Sequence, residues 1–180
     1  MKRKITNPAL RETITFIKTA TETKGAVSEL EITLLPGGGN PLHYHTSYTE
    51  TFTALEGELG MELKNKQKLI LKPGESYLVK RGEVHRFFNP GHTEIRFRNE
   101  VVPGHEGLEN TLRIFCGLAT DGLYNKKNIP KDFRHLAICG IMSDMRLPGL
   151  MVLTTPLLKW VAARASKKGI EQQLINKYCI

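Results

Sequence analysis

From residue 13 to about residue 102, turn signals break the chain roughly every eight to twelve positions, and the runs between them alternate apolar or β-branched residues with polar ones. The breaks are Pro36-Gly37-Gly38-Gly39, Glu56-Gly57, Asn65, Pro73-Gly74, Arg81-Gly82 and Asn89-Pro90-Gly91. Strands are expected over 13–19, 26–35, 51–55, 60–63, 68–71, 77–79, 84–88 and 94–102. Many short strands without helices between them imply an antiparallel sandwich or closed barrel. After Pro103-Gly104 the period changes: Leu112, Phe115, Cys116, Ala119 and Leu123 recur at helical spacing, which predicts a helix over 109–123. A second is expected near 131–142. A third should run over 156–168, with Thr155 as N-cap, Pro156 in the first position and Gly169 as the stop, and a fourth over 170–178. The expected organisation is a β-barrel domain, residues 1–104, and a helical C-terminal extension, residues 105–180, packed on it.

Composition narrows the class. Apolar residues make up 40% and charged residues 24% of the 180, the profile of a globular chain. The net charge of +8 is uneven: residues 1–24 carry +4, residues 25–125 carry −3 and residues 126–180 carry +7. A basic excess confined to the ends, with a mildly acidic middle, speaks against nucleic-acid recognition by the folded module. No run approaches the roughly 20 apolar residues of a membrane span, and Met1-Lys2-Arg3-Lys4 leads into polar residues rather than a signal core. Cys116, Cys139 and Cys179 are odd in number and far apart, so they give neither a disulfide framework nor a metal knuckle. A cytoplasmic location is the expectation. The apolar stretch 147–165 is broken by Pro148, Pro156 and Lys159, which disfavours a spanning helix. Its main role is expected to be packing on the barrel or a partner, with an anionic membrane surface as the second option because Trp160 is followed by Arg164, Lys167 and Lys168.

The segment from Gly37 to Glu50, followed by Gly57, carries the chemistry. On a strand, His43 and His45 share a face and Tyr44 takes the other, so two imidazoles converge. Glu50, after a short turn, can add a carboxylate, and His85 offers a third imidazole. Three nitrogens and one oxygen make a mononuclear site for one divalent transition metal ion, Fe, Mn, Ni, Co, Zn or Cu, with positions left for water, substrate or dioxygen. No Ser-His-Asp set, P-loop or strand-to-helix GxGxxG is present.

These residues resemble the cupin superfamily. Its first motif, G-x5-H-x-H-x3,4-E-x6-G, is met by Gly37, His43, His45, Glu50 and Gly57, and its second, G-x5-P-x-G-x2-H-x3-N, by Gly74, Gly82, His85 and Asn89, with Lys80 where the motif has proline. The resemblance covers about residues 12–102. It implies a mainly β fold, the double-stranded β-helix or jelly-roll-like barrel, here with C-terminal α-helices, and metal binding by His43, His45, Glu50 and His85. Alternation from these residues puts Phe52 and Ala54 on the Glu50 face and Phe87 on the His85 face, so an apolar, aromatic pocket is expected, with Tyr48 as a polar handle. Tyr77, Arg96 and Arg98 enter only in certain registers, and for Arg96 and Arg98 a solvated strand face is preferred. His92, His105 and His135 lack partners in sequence.

The function expected from this resemblance is that of a metal-binding single-domain cupin acting on a small molecule, an oxygenase ahead of an isomerase or lyase, with Glu50 as ligand and proton acceptor. The alternative is a non-catalytic small-molecule-binding or sensor barrel with a structural metal. Cupins commonly pair, and the apolar C-terminal helices exceed what a small barrel needs to cover, so a homodimer is expected.

Overall fold

In the strand Thr49–Glu56, sequence alternation becomes burial: Glu50, Phe52 and Ala54 face inward and the threonines between them face outward. A computed structural model describes residues 2–180 and shows the same logic throughout. The strands are β1 Lys4–Asn7, β2 Glu12–Lys18, β3 Ser28–Leu34, β4 Thr49–Glu56, β5 Leu59–Leu63, β6 Lys68–Leu71, β7 Ser76–Val79, β8 His85–Phe88 and β9 Ile95–Val102. They form a six-stranded sheet in the order β1-β2-β3-β9-β4-β7 and a three-stranded sheet in the order β6-β5-β8, all pairings antiparallel. β1 was not expected from the sequence. Its four residues are too few to display a period, and it forms because Lys4–Asn7 pairs with Glu12–Thr15.

The inward faces meet in one apolar core. Phe52, Phe87 and Phe97 stack with centroid separations of 5.0 to 6.1 Å, and Ile14, Leu30, Ile32 and Met61 close around them. Each fully buried side chain of this size stabilises the fold by about 1.5–3 kcal/mol. The outward face of the large sheet carries ion pairs instead: Arg96 with Glu31 and Glu56, and Glu29 with Lys18 and Arg98. Arg96 and Arg98 are therefore on the solvated side.

The helices are α1 Glu106–Thr120, α2 Phe133–Met142, α3 Thr155–Lys167 and α4 Ile170–Tyr178, with a 3-10 segment Gly149–Thr154 before α3. α1 starts three residues earlier than predicted because the imidazole of His105, not a Ser, Thr or Asp, serves as its N-cap, its Nδ1 accepting from the Leu108 N–H at 2.9 Å. α2 is capped by Asp132, whose side chain accepts from Arg134 N–H. α3 begins one residue before the predicted start, with Pro156 still in its first turn. α1 works in two directions: Leu112 and Cys116 pack on the barrel core, whereas Ile114 and Leu118, displaced by about half a turn, join Ala137, Ile138, Ala162, Ala165 and Leu174 in a helical core. Among the described residues no helix is long and apolar enough to cross a membrane.

Candidate metal centre

The segment around His43 is seated by β8. His43 N–H donates to the His85 carbonyl at 3.0 Å and His85 N–H returns to the His43 carbonyl at 2.8 Å, so the two imidazoles become cross-strand neighbours. Gly39 makes the approach possible, since a Cβ there would stand 2.7 Å from the Phe87 carbonyl oxygen. On the opposite edge, Tyr44 and Arg146 exchange two backbone hydrogen bonds of 3.0 Å. The Asp144 carboxylate then clamps the turn leading to Glu50, accepting from the N–H and hydroxyl groups of Thr46 and Ser47 at 2.7 to 2.9 Å. Burial opposes its ionisation, but the bonds from Thr46 and the Ser47 hydroxyl, with one from Arg146, hold the Asp144 carboxyl well below its usual range.

His43, His45, Glu50 and His85 are all buried, and one donor atom from each lies within 4.8 Å of the others. Each imidazole is oriented from behind. His43 Nδ1–H donates to the Pro41 carbonyl at 2.8 Å and His85 Nδ1–H to the Glu83 carbonyl at 2.9 Å. The Tyr48 hydroxyl donates to the Ser143 carbonyl at 2.9 Å, so at 2.5 Å from His45 Nδ1 its oxygen is the acceptor. With all three protons held at Nδ1, three Nε2 lone pairs are left facing inward. Glu50 is fixed likewise: its Oε1 accepts from Asn99 Nδ2 at 2.8 Å, while Oε2 stands 2.9 Å from His85 Nε2 and 3.4 Å from His45 Nε2.

The donor set fits a metal ion. His85 Nε2 and Glu50 Oε2 are both acceptors once Nδ1 carries the proton, and a 2.9 Å contact between two acceptors needs a proton or a cation there. Burial, with the charges of His85 and His45, pushes His43 down to about 3, which keeps it neutral as a ligand must be. Burial opposes ionisation of Glu50, but the adjacent imidazoles of His45 and His85 hold its carboxyl well below the ordinary carboxylate range. For His85 burial acts downward, and the Glu50 carboxylate beside Nε2 overcomes it, favouring a cation at this position.

A cavity of about 440 Å³ opens from His43, His45 and Glu50 toward the helical extension. Its wall is apolar for the most part, with Ile14, Leu30 and Phe87 from the barrel and Leu108, Phe133 and Leu136 from the helices. Of the expected pocket residues, Phe87 lines this space. Phe52 lies behind the imidazoles, 6.0 Å from the His85 ring, and Tyr48 is fully buried with its hydroxyl committed to His45 and Ser143, so neither reaches the wall. Asn99, Ser143 and Asp144 were missed from the sequence. Asn99 left a signal, a polar residue at an inward position of the run Ile95, Phe97, Asn99, Val101. Ser143 and Asp144 left none, since their partners lie 95 to 98 residues away. Lys80, which stands where the motif has proline, donates its backbone N–H to Glu83 at 2.9 Å, a bond that proline cannot make. The turn is thus closed by other means.

Residues 30–102 match the family model described as Cupin domain. Among curated proteins, oxalate oxidase GF-2.8 of Triticum aestivum is 38% identical over 75 residues, 38% of this chain and 34% of that protein. The uncharacterized protein YdbB of Bacillus subtilis is 43% identical over 44 residues, covering 24% of this chain and 39% of that one. The matched region thus spans only about a third of the length of these relatives. Among solved structures, a protein described as a predicted oxalate decarboxylase from Thermotoga maritima aligns with TM-score 0.49 and 22% identity over 56% of this chain and 90% of that one. The polyketide cyclase RemF of Streptomyces resistomycificus aligns with TM-score 0.47 and 24% identity over 51% and 65%. With both histidine-bearing motifs in place on a two-sheet antiparallel barrel, and the family match running from β3 to β9, residues 30–102 form a cupin domain.

Proposed function

We propose that this cupin is a metal-dependent enzyme for a small, largely apolar molecule that carries a metal-binding oxygen, with oxygenation as the reaction class ahead of isomerisation or lysis. His43, His45, Glu50 and His85 are the proposed ligands. One observation carries the reading: three Nε2 atoms and a carboxylate, each oriented by a bond from behind, converge beside an apolar-walled cavity of about 440 Å³. A divalent ion bound there supplies Lewis acidity and, if redox active, a seat for dioxygen.

The chain's own residues do the rest. The carbonyls of Pro41 and Glu83 and the Tyr48–Ser143 relay hold the Nδ1 protons and aim the Nε2 atoms inward. Asn99 holds Oε1 of Glu50, so Oε2 is the oxygen turned toward the imidazoles and the proposed proton acceptor. Phe87 and the helical side of the wall exclude water and select apolar bulk. Such a wall suits a larger and less charged molecule than oxalate, the substrate in the names of the matched relatives.

Oxygen consumption and product formation are measured across catechols, flavonols, diketones and keto acids with the Fe, Mn and Ni forms. Turnover of an aromatic or enolisable compound, lost in Glu50→Gln, is the expected result. No turnover, combined with ligand-induced thermal stabilisation, would instead make the chain a binding barrel with a structural metal.

We also propose a homodimer formed through the segment from Gly149 into α3, where Leu150, Leu153 and Trp160 are 85%, 77% and 59% exposed. The free, buried thiols of Cys116, Cys139 and Cys179 support placement in the cytoplasm.

A further inference from the structure

Four glutamates are buried in this fold, and three are accounted for. Glu29 pairs with Lys18 and Arg98, Glu50 with His85 and Asn99, and Glu109 accepts from Ala20 N–H and the Ser28 hydroxyl at 2.6 Å each. The fourth, Glu12, is 5% exposed, and its carboxyl has no hydrogen bond or ion pair among the described residues. It points inward by the alternation it shares with Ile14 and Phe16 on β2, and it lines the same cavity as His43, His45 and Glu50. β2 stands three strand steps from β4, roughly 14 Å along the curved sheet at about 4.8 Å per step, so Glu12 belongs to a different part of that cavity from Glu50.

An unpartnered buried carboxyl is costly, and a wall built from Leu10, Ile14 and Leu30 has no structural need of one. Asn7, directly opposite in the β1–β2 register, does not relieve it. Its Oδ1 is held by the N–H groups of Ala9 and Leu10, and its buried Nδ2 makes no hydrogen bond to Glu12.

We infer that Glu12 is a second anchor in the cavity, which takes an alcohol or phenol hydroxyl on the end of a ligand remote from the histidine cluster. The inference rests on the proposed reading of the cavity as the substrate site. Burial alone pushes the Glu12 carboxyl up to about 7, and no cation offsets it. A carboxyl protonated over much of the working range both donates and accepts, which suits a hydroxyl. A ligand ammonium would instead require an ion pair within an apolar wall, with desolvation of both charges. The cavity then sorts ligands by a hydroxyl at one end and an oxygen ligand at the other.

The test uses the full chain and two probes that differ by a methyl group in place of the hydroxyl hydrogen, 1-naphthol and 1-methoxynaphthalene, titrated by calorimetry into chelator-treated wild type, Glu12→Gln, Glu12→Leu and Glu12→Ala. Wild type is expected to favour naphthol by about tenfold, the scale of one hydrogen bond. Glu12→Gln should keep the preference, and Glu12→Leu and Glu12→Ala should abolish it. Persistence of the preference in either apolar variant, or equal binding of both probes to wild type, overturns the anchor and leaves the cavity reading in place. Failure of both probes to bind wild type sinks the cavity reading and the anchor with it.

Discussion

Replacing Glu12 by Gln should change how stability depends on pH, and the size of the change follows from where Glu12 sits. Burial raises its carboxyl from the model-compound value of 4.5 to about 7 in the folded chain. Between these values the folded state holds a proton that the unfolded state has released, so stability falls as pH rises. The contribution is full below about pH 4.5 and is gone above about pH 7. A separation of about 2.5 pH units at about 1.36 kcal/mol each gives roughly 3 kcal/mol. Glutamine cannot ionise, so the stability of Glu12→Gln minus that of wild type should climb by about this amount from pH 4.5 to 7 and then level off. Histidines and other carboxylates titrate in both proteins and cancel in the difference. Urea unfolding of the chelator-treated proteins at half-unit steps from pH 4.5 to 8.5 measures it. Thermal melts should show the same trend as a relative gain of roughly 6–12 °C. A difference that stays flat over this range would refute an uncompensated carboxyl in the cavity wall.

Three further outcomes are expected. Tyr48→Phe removes the oxygen between His45 Nδ1 and the Ser143 carbonyl, so metal affinity should fall about 10- to 100-fold in a folded protein, read by competition with a fluorescent chelator. Unchanged affinity would show that the relay does not orient His45. Asp144→Ala strips four hydrogen bonds from the turn at Thr46 and Ser47 and should cost about 1–3 kcal/mol of stability in denaturant unfolding, with a loss of metal affinity. A stability loss without any change in metal binding would separate the clamp from the site. Light scattering should find a dimer for the full chain and a monomer for the Leu150→Asp, Leu153→Asp double variant. A monomeric wild type refutes the pairing, and salt-sensitive binding to anionic liposomes would reassign the exposed segment beside Lys159 and Arg164 to a membrane surface.

The donor side chains were legible in the sequence because their placement depends on local rules. Strand alternation puts His43 and His45 on one face, a short turn returns Glu50 to it, and Glu50, Phe52 and Ala54 follow the same period. What orients those side chains was not legible. Tyr48 and His45 are three residues apart, and the proximity that made Tyr48 look like a pocket residue in fact directs its hydroxyl behind the imidazole. Ser143 and Asp144 reach the turn from a segment that the motifs do not cover, by contacts that the packing of α1 on β1 and of α2 on α1 brings about. Glu12 lies at the start of a strand whose pattern places it inward, yet whether a buried glutamate is paired depends on three-dimensional neighbours, and for Glu29 and Glu109 it is.

The central claim is a metal centre formed by His43, His45, Glu50 and His85, and elemental analysis of protein purified without chelator tests it most directly. Wild type should hold close to one transition-metal ion per chain. The His43→Ala, His45→Ala variant, folded by circular dichroism, should hold almost none. Equal metal content in the two proteins would contradict the assignment.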